Sequence, residues 1–180
     1  MIQTISWILS ITATVLGIIE PFNKKMTGVL IFNLIGNFIV GINYPLSGSL
    51  STSGMVICLV ACVQVFINFF FFTRKEKEVP KWIIPVYLIV FYAVNVLSFS
   101  QWYDVLVFGT STCYVLSISQ KSTRMYRILY CTNSALWILY DFLAHSYSNL
   151  ATHIALVVFT LVSMVVNDRK EEKLDKEVVE

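Results

Sequence analysis

Asparagine amides lie inside one of the long apolar stretches of this 180-residue chain. Residues 26–44 contain Asn33 and Asn37, four positions apart, which places both amides on the same face of a helix. A polar side chain inside an apolar helix marks either a hydrogen bond between helices or a binding site. For a single asparagine, both interpretations stay open.

A second polar stripe lies in another apolar stretch. Asn133, Trp137, Tyr140 and Asp141 recur at helical spacing and therefore share one helix face. An amide forms hydrogen bonds and an indole stacks, a combination that suits a neutral, hydroxylated or ring-shaped solute. Two such stripes favour a pocket for a small solute over isolated contacts between helices.

Asp141 is the one carboxylate well inside an apolar stretch. It either binds a coupling proton or cation, or holds a loop hydrogen bond near the end of its helix. Glu20 and Asp104 stand at the ends of apolar stretches, and we expect both at the membrane interface.

A zinc site would have to be built from Asp141, His145 and His153. Seven-helix membrane hydrolases typically use three histidines with further carboxylate or serine partners, whereas this chain has two histidines. The sequence also contains no HExxH motif and no Gly-rich phosphate loop. We therefore predict no catalytic residues, no metal and no cofactor, with a zinc-dependent membrane hydrolase as the remote alternative.

The composition places these helices in a membrane. Hydrophobic residues make up 57% of the chain and charged residues 13%, against about 45–50% and about 25% in ordinary soluble domains. Too little polar surface remains to coat a soluble globule, which excludes a cytosolic enzyme, a disordered chain and a nucleic-acid-binding module. The expected partners are the lipid bilayer and a small-molecule substrate, and no nucleic acid.

Seven apolar runs have the length of a membrane span, namely 4–19, 26–44, 53–72, 82–98, 103–119, 126–145 and 150–167. Every Lys and Arg follows run one, three, five or seven. Basic loops stay on the cytoplasmic side. The charge pattern therefore predicts seven spans with the N-terminus outside and the C-terminus cytoplasmic.

Runs one to three overlay runs five to seven at an offset of 100 residues, which sets Asn33 on Asn133. Three spans leave the chain on the opposite side of the membrane from where it started. Run four brings it back, so the second triplet enters the membrane in the same orientation as the first. The fold class predicted is an all-α membrane protein with seven transmembrane helices in a 3+1+3 parallel-repeat arrangement, and a substrate site between the repeats. The predicted units are a first three-helix bundle 1–72, a basic linker and linker helix 73–102, a second three-helix bundle 103–167 and a charged cytoplasmic tail 168–180.

The segment 121–147, KSTRMYRILYCTNSALWILYDFLAHSY, resembles the basic loop and LW-x-x-Y-(G/D) segment of the SWEET and PQ-loop (MtN3-like) superfamily. The resemblance is closest to its bacterial inner-membrane branch of YgjV-type proteins. In the first triplet, 24–44 is a degenerate version with Asn37 where the Trp would stand. The resemblance implies a bacterial inner-membrane protein with two bundles that face each other across a central cavity and rock to give alternating access.

The superfamily lines its sugar pocket with a Trp of the second helix and an Asn of the third helix of each triplet. The resemblance carries these positions to Trp137 and His153, and in the first triplet to Asn37 and Ser53. Neither Asn is kept, so the implied substrate class widens from sugars to vitamin-like and nucleoside-like solutes. PnuC-type vitamin transporters share the three-one-three plan.

The sequence thus predicts a membrane transporter or facilitator of a small polar solute, active as a monomer or homodimer. The predicted substrate-binding residues are Asn33, Asn37, Ser53, Asn133, Trp137, Tyr140 and His153, and Asp141 is the predicted coupling or gate residue. The alternative is a non-transporting scaffold, sensor or accessory protein on the same fold.

Overall fold

A computed structural model describes residues 2–48, 53–74 and 79–179, with side chains up to 167, and the regular structure in this part of the chain is helical. Seven α-helices follow one another in this part of the chain: α1 (Ile2–Ile19), α2 (Met26–Leu46), α3 (Ser53–Thr73), α4 (Ile83–Ser98), α5 (Val105–Ile118), α6 (Thr123–Leu143) and α7 (Tyr147–Val179). Each overlaps one predicted apolar run, and α7 continues beyond its run to Val179. Residues 75–78 of the predicted basic linker lie outside the described residues.

Four helical segments of the described chain are long and apolar enough to cross a membrane: Ile2–Phe22, Met26–Leu46, Ser53–Thr73 and Tyr147–Asn167. The α4 helix is apolar but shorter, and α5 has 14 residues, which makes it about 21 Å long. The α6 helix carries Arg124, Arg127 and Asp141. These four candidate spans agree with a multi-pass membrane protein, while the count of seven spans stays a prediction.

The turn that follows α1 determines where the side chain of Glu20 lies. A 3₁₀ turn, Glu20–Phe22, continues α1 and contains Pro21. The Asn23 amide closes this turn by donating to the carbonyl oxygens of Ile19 at 3.1 Å and Glu20 at 3.2 Å. Because the turn stays helical, the Glu20 side chain is buried between the helices instead of entering a loop.

The α6 helix ends through a Schellman motif. His145 adopts the left-handed conformation at φ 58°, and the Ser146 amide donates to the Asp141 carbonyl at 2.9 Å. The His145 amide donates to the Phe142 carbonyl at 3.3 Å. This ending fixes Asp141 in the last turn of α6.

The helices form a ring around a central cavity. Consecutive helices pack against each other in the order α1–α2–α3 and α5–α6–α7, and α7 packs against α1. On the other side α3 contacts α5, with α4 lying against both. Residues of α1, α2, α3, α5, α6 and α7 line the cavity, and within the described ranges α4 contributes none. The division into two three-helix bundles stays a prediction.

The outer surface of the protein is apolar and its interior is polar, as suits a lipid environment rather than water. Large apolar side chains point outwards, as at Ile11, Phe66 and Leu97, whereas Asn43 and Asn68 are fully buried. Polar side chains at membrane depth face the interior of a helix bundle. The buried polar residues are therefore the part of the sequence that shapes the ring.

Close contact between α2 and α3 depends on Gly54. A Cβ at Gly54 would lie 2.6 Å from Cζ of Tyr44, whereas a Cβ at Gly36 meets nothing within 4 Å. We expect Gly54→Ala to lower the free energy of unfolding by about 1–3 kcal/mol because of this clash. Gly36→Ala, the matched control, is expected to be neutral or stabilising by up to about 1 kcal/mol, since alanine favours a helix. Thermal unfolding of both variants in the same detergent measures the difference, and equal stability would contradict the packing of Tyr44 on Gly54.

Candidate functional site

A central cavity runs between the helices of the ring. Its free volume is about 60 Å³, room for about four to six water molecules at one probe sphere each. The polar and aromatic part of its lining consists of Glu20, Asn33, Asn37, Cys58, Thr110, Ser111, Tyr114, Tyr130, Asn133, Ser134, Trp137, Thr152 and His153. The cavity is therefore a polar chamber within an otherwise apolar protein.

Eight residues predicted from the sequence as binding, coupling or gate residues all lie in the described chain. Those on the cavity wall are Asn33, Asn37, Asn133, Trp137 and His153. Ser53 instead donates to the Ser98 carbonyl at 2.8 Å, outside the lining. Tyr140 and Asp141 are buried behind the wall.

At one end of the cavity, hydrogen bonds converge on Glu20. The Asn33 amide donates to Glu20 Oε1 at 2.7 Å, and the Tyr126 hydroxyl donates to the same oxygen. Tyr114 donates to Asn33 Oδ1 at 2.5 Å, and the Asn37 amide reaches Asn33 Oδ1 at 2.8 Å and the Tyr114 hydroxyl at 3.1 Å. These five residues, the Glu20 cluster, join the end of α1 to α2, α5 and α6.

Glu20, expected at the membrane interface, lies inside the helix bundle. Its side chain is 2% exposed and lines the cavity. Sequence reasoning missed it because its donor Tyr126 is 106 positions away in the chain and reaches Glu20 only through helix packing. The available signal was Pro21, since a proline early in a helical turn favours continuation of the helix.

Arg127 lies beside the Glu20 cluster and is 1% exposed. Its Nε donates to the Pro21 carbonyl at 3.2 Å, and its Nη2 donates to Thr123 Oγ1 at 3.2 Å. The Ser163 hydroxyl donates to the same Pro21 carbonyl at 2.8 Å. The sequence had grouped Arg127 with the basic loop residues, but it faces inwards from α6 and ties α6 to the turn after α1.

At the opposite end of the cavity, hydrogen bonds converge on Asp141, which is 0% exposed. Tyr44 donates to Asp141 Oδ1 at 2.9 Å, and His153 Nδ1 lies 2.6 Å from Oδ2. The His153 ring stacks on Trp137 with 5.8 Å between centroids and an interplanar angle of 10°. Asp141 therefore faces the cavity through His153, whose imidazole it orients. We call Asp141, Tyr44, His153 and Trp137 the Asp141 cluster.

Tyr140 supports this cluster from behind the cavity wall. Its hydroxyl accepts a hydrogen bond from the Gly54 amide at 3.2 Å, and its ring packs edge-on against Trp137 at 5.1 Å. Tyr140 thus positions the aromatic wall and joins α6 to α3.

His145 does not join the Asp141–His153 pair. It is exposed, and its Nδ1 lies 2.9 Å from the Tyr147 hydroxyl. Across the part of the chain that the structure describes, no group of three or more His, Cys, Asp or Glu side chains is arranged to hold a metal ion. The role that the structure gives His145 is to end α6.

The fold and the cavity define a multi-pass helical membrane protein with a buried polar chamber. A family model described as a bacterial inner membrane protein, Imp-YgjV, matches residues 4–171. The chain belongs to this family, which confirms the resemblance to YgjV-type proteins and agrees with a location in the bacterial inner membrane. No curated protein and no solved structure matches the chain. The wider link to the SWEET and PQ-loop superfamily stays a prediction.

The buried and exposed arginines of α6 differ in their expected contribution to stability. Arg127→Gln leaves the Pro21 carbonyl without its charged donor, so we expect a loss of about 1.5–3 kcal/mol in the free energy of unfolding. Arg124 is exposed on the same helix, and Arg124→Gln should cost at most about 1 kcal/mol, as for a surface ion pair. Denaturant unfolding in one detergent compares the two. A larger loss for Arg124→Gln would contradict the inward position of Arg127.

Proposed function

We propose that this protein carries a small polar solute across the bacterial inner membrane by alternating access. The observation that supports this most directly is that the cavity is bracketed by two sets of hydrogen bonds between residues 2–73 and residues 105–167. At one end these are Tyr126 to Glu20 and Tyr114 to Asn33. At the other end Tyr44 donates to Asp141.

Further bonds reinforce the second end. The Asn43 amide donates to Asn149 Oδ1 at 2.8 Å, and the Ser47 and Ser146 hydroxyls lie 2.8 Å apart. Individual hydrogen bonds of this kind contribute about 0.5–1.5 kcal/mol each. Two or three such bonds keep one end of the cavity closed when no solute is bound. A solute that binds the open state more tightly than the closed state is sufficient to open that end.

Both halves of the chain contribute equivalent positions to the cavity wall. Asn33 and Asn37 of α2 correspond to Asn133 and Trp137 of α6 at the 100-residue offset, and all four line the cavity. This supports the proposal that the two halves are parallel repeats with the solute between them. One chain supplies every wall of the cavity, so the proposed cycle requires no second subunit.

The charge pattern determines which side of the membrane each end of the cavity faces in this proposal. We propose that the basic loops face the cytoplasm, which places the Glu20 cluster at the cytoplasmic gate and the Asp141 cluster at the outer gate.

A non-transporting scaffold, sensor or accessory protein is the rival function. It is favoured by one observation, that Asn33, Asn37 and Tyr114 already satisfy one another with hydrogen bonds. In that role the cavity would stay closed to both sides of the membrane. Access to the cavity therefore separates the two functions.

Cys58 is a native reporter of that access, because it is a free, buried thiol on the cavity wall. In a protein that keeps Cys58 as its single cysteine, alternating access predicts labelling by a membrane-impermeant methanethiosulfonate from either side of oriented vesicles. Tyr44→Phe should increase the labelling rate from the outer side and Tyr126→Phe from the cytoplasmic side. The loss of one hydrogen bond, about 1 kcal/mol, corresponds to about fivefold in each case.

The matched control is Tyr92→Phe, since the Tyr92 hydroxyl meets Thr112 on the exposed surface of the ring. This variant should leave both labelling rates unchanged. Labelling from one side only, or from neither, in all variants would reject alternating access and favour the rival function.

A further inference from the structure

The cavity wall contains a carboxylate without an opposing cation. Glu20 is the one Asp or Glu among the described lining residues, and these include no Lys and no Arg. The groups that meet Glu20 are the amide of Asn33 and the hydroxyls of Tyr126 and Tyr130, all formally neutral. The buried guanidinium of Arg127 lies nearby, where it donates to the Pro21 carbonyl at 3.2 Å from outside the cavity lining. Inside the chamber, an ionised Glu20 faces only neutral groups.

The wall also presents an acceptor that no protein group uses. Asn133 is 4% exposed and lines the cavity, yet its Oδ1 has no hydrogen-bond partner in the described structure. Buried polar atoms are almost always paired. This unpaired oxygen lies beside the chamber, and a donor on a bound solute would satisfy it.

The carboxylate of Asp141 and its partner His153 add no net positive charge beside the cavity. Asp141 and His153 form a pair at 2.6 Å, and its net charge is zero when the imidazole is protonated and negative when it is neutral. With Glu20 ionised, the charges of the cavity lining and of this pair sum to a negative value in either state.

Aromatic faces complete the wall. Tyr114, Tyr130 and Trp137 line the cavity together with Glu20, and aromatic faces attract cations as well as stacking on rings. The free volume of about 60 Å³ accepts about four to six non-hydrogen atoms at one per water-sized site.

We propose that the solute carries a protonated amine. Glu20 is its counter-ion, Asn133 Oδ1 accepts one of its N–H groups, and the aromatic wall encloses its carbon skeleton. An ammonium group has three donors and no acceptor, which matches a wall that offers a carboxylate and an open carbonyl oxygen. This inference rests on the proposed transport function and specifies the substrate class of the same site.

The test uses a pair of probes that differ at one group. Ethanolamine and ethylene glycol have four non-hydrogen atoms each and differ in an ammonium in place of a hydroxyl. With the full-length purified protein at constant ionic strength, ethanolamine should raise the unfolding temperature with increasing concentration, since a ligand of the native state stabilises it by mass action. Ethylene glycol at the same concentrations should not.

Variants locate the effect at the cavity. Glu20→Gln should weaken the apparent affinity for ethanolamine by about tenfold or more, as for a lost hydrogen bond to a charged group. Asp104→Asn is the matched control, because Asp104 accepts from the backbone amides of Ser100 and Gln101 outside the cavity. It should retain the wild-type response. If Glu20→Gln does not fold, Asn133→Ala should weaken the response and Glu20→Asp should preserve it.

An equal response to both probes, or an undiminished response of a folded Glu20→Gln protein, overturns the amine proposal. Either result leaves the proposed transport function standing, because labelling of Cys58 tests alternating access without any solute. Conversely, binding of ethanolamine at Glu20 with a Cys58 that no reagent reaches would support the amine site and reject transport.

Discussion

The carboxylate of Glu20 and the donors around it are the constraint on which this fold depends. A carboxylate in an apolar interior is costly unless hydrogen bonds satisfy it. Its donors come from α2 and α6, and Tyr114 of α5 extends the same network through Asn33. Four helices must therefore converge at one end of the ring. The closed chamber follows from that convergence.

At the opposite end of the cavity, hydrogen bonds from other helices satisfy a second buried carboxylate. Asp141 is satisfied by Tyr44 of α2 and His153 of α7, so α2 and α6 each take part in both clusters. The small side chain of Gly54 lets Tyr44 lie against α3. Two acidic groups thus sit at opposite ends of one chamber, each bonded across the two halves of the chain. Family membership places this chamber in the bacterial inner membrane.

The two clusters also give the site its chemistry. The amide and indole stripes by themselves favour a neutral, hydroxylated or ring-shaped solute, because they offer hydrogen bonds and stacking without charge. Adding Glu20 to the same wall makes the chamber negative and moves the expected solute to one that bears an amine. Asp141, the predicted coupling or gate residue, lies behind the wall and is bonded to His153 on the wall.

The sequence by itself determined the all-helical membrane class, the position of all seven helices and five cavity residues, Asn33, Asn37, Asn133, Trp137 and His153. Apolar run length and helical spacing are local properties, so they can be read along the chain. Only the tertiary structure decided that Glu20 is buried in the chamber, that Arg127 faces inwards and that Ser53 lies outside the lining. Each of these depends on partners more than a turn away, such as Tyr126, which come close only when the ring closes.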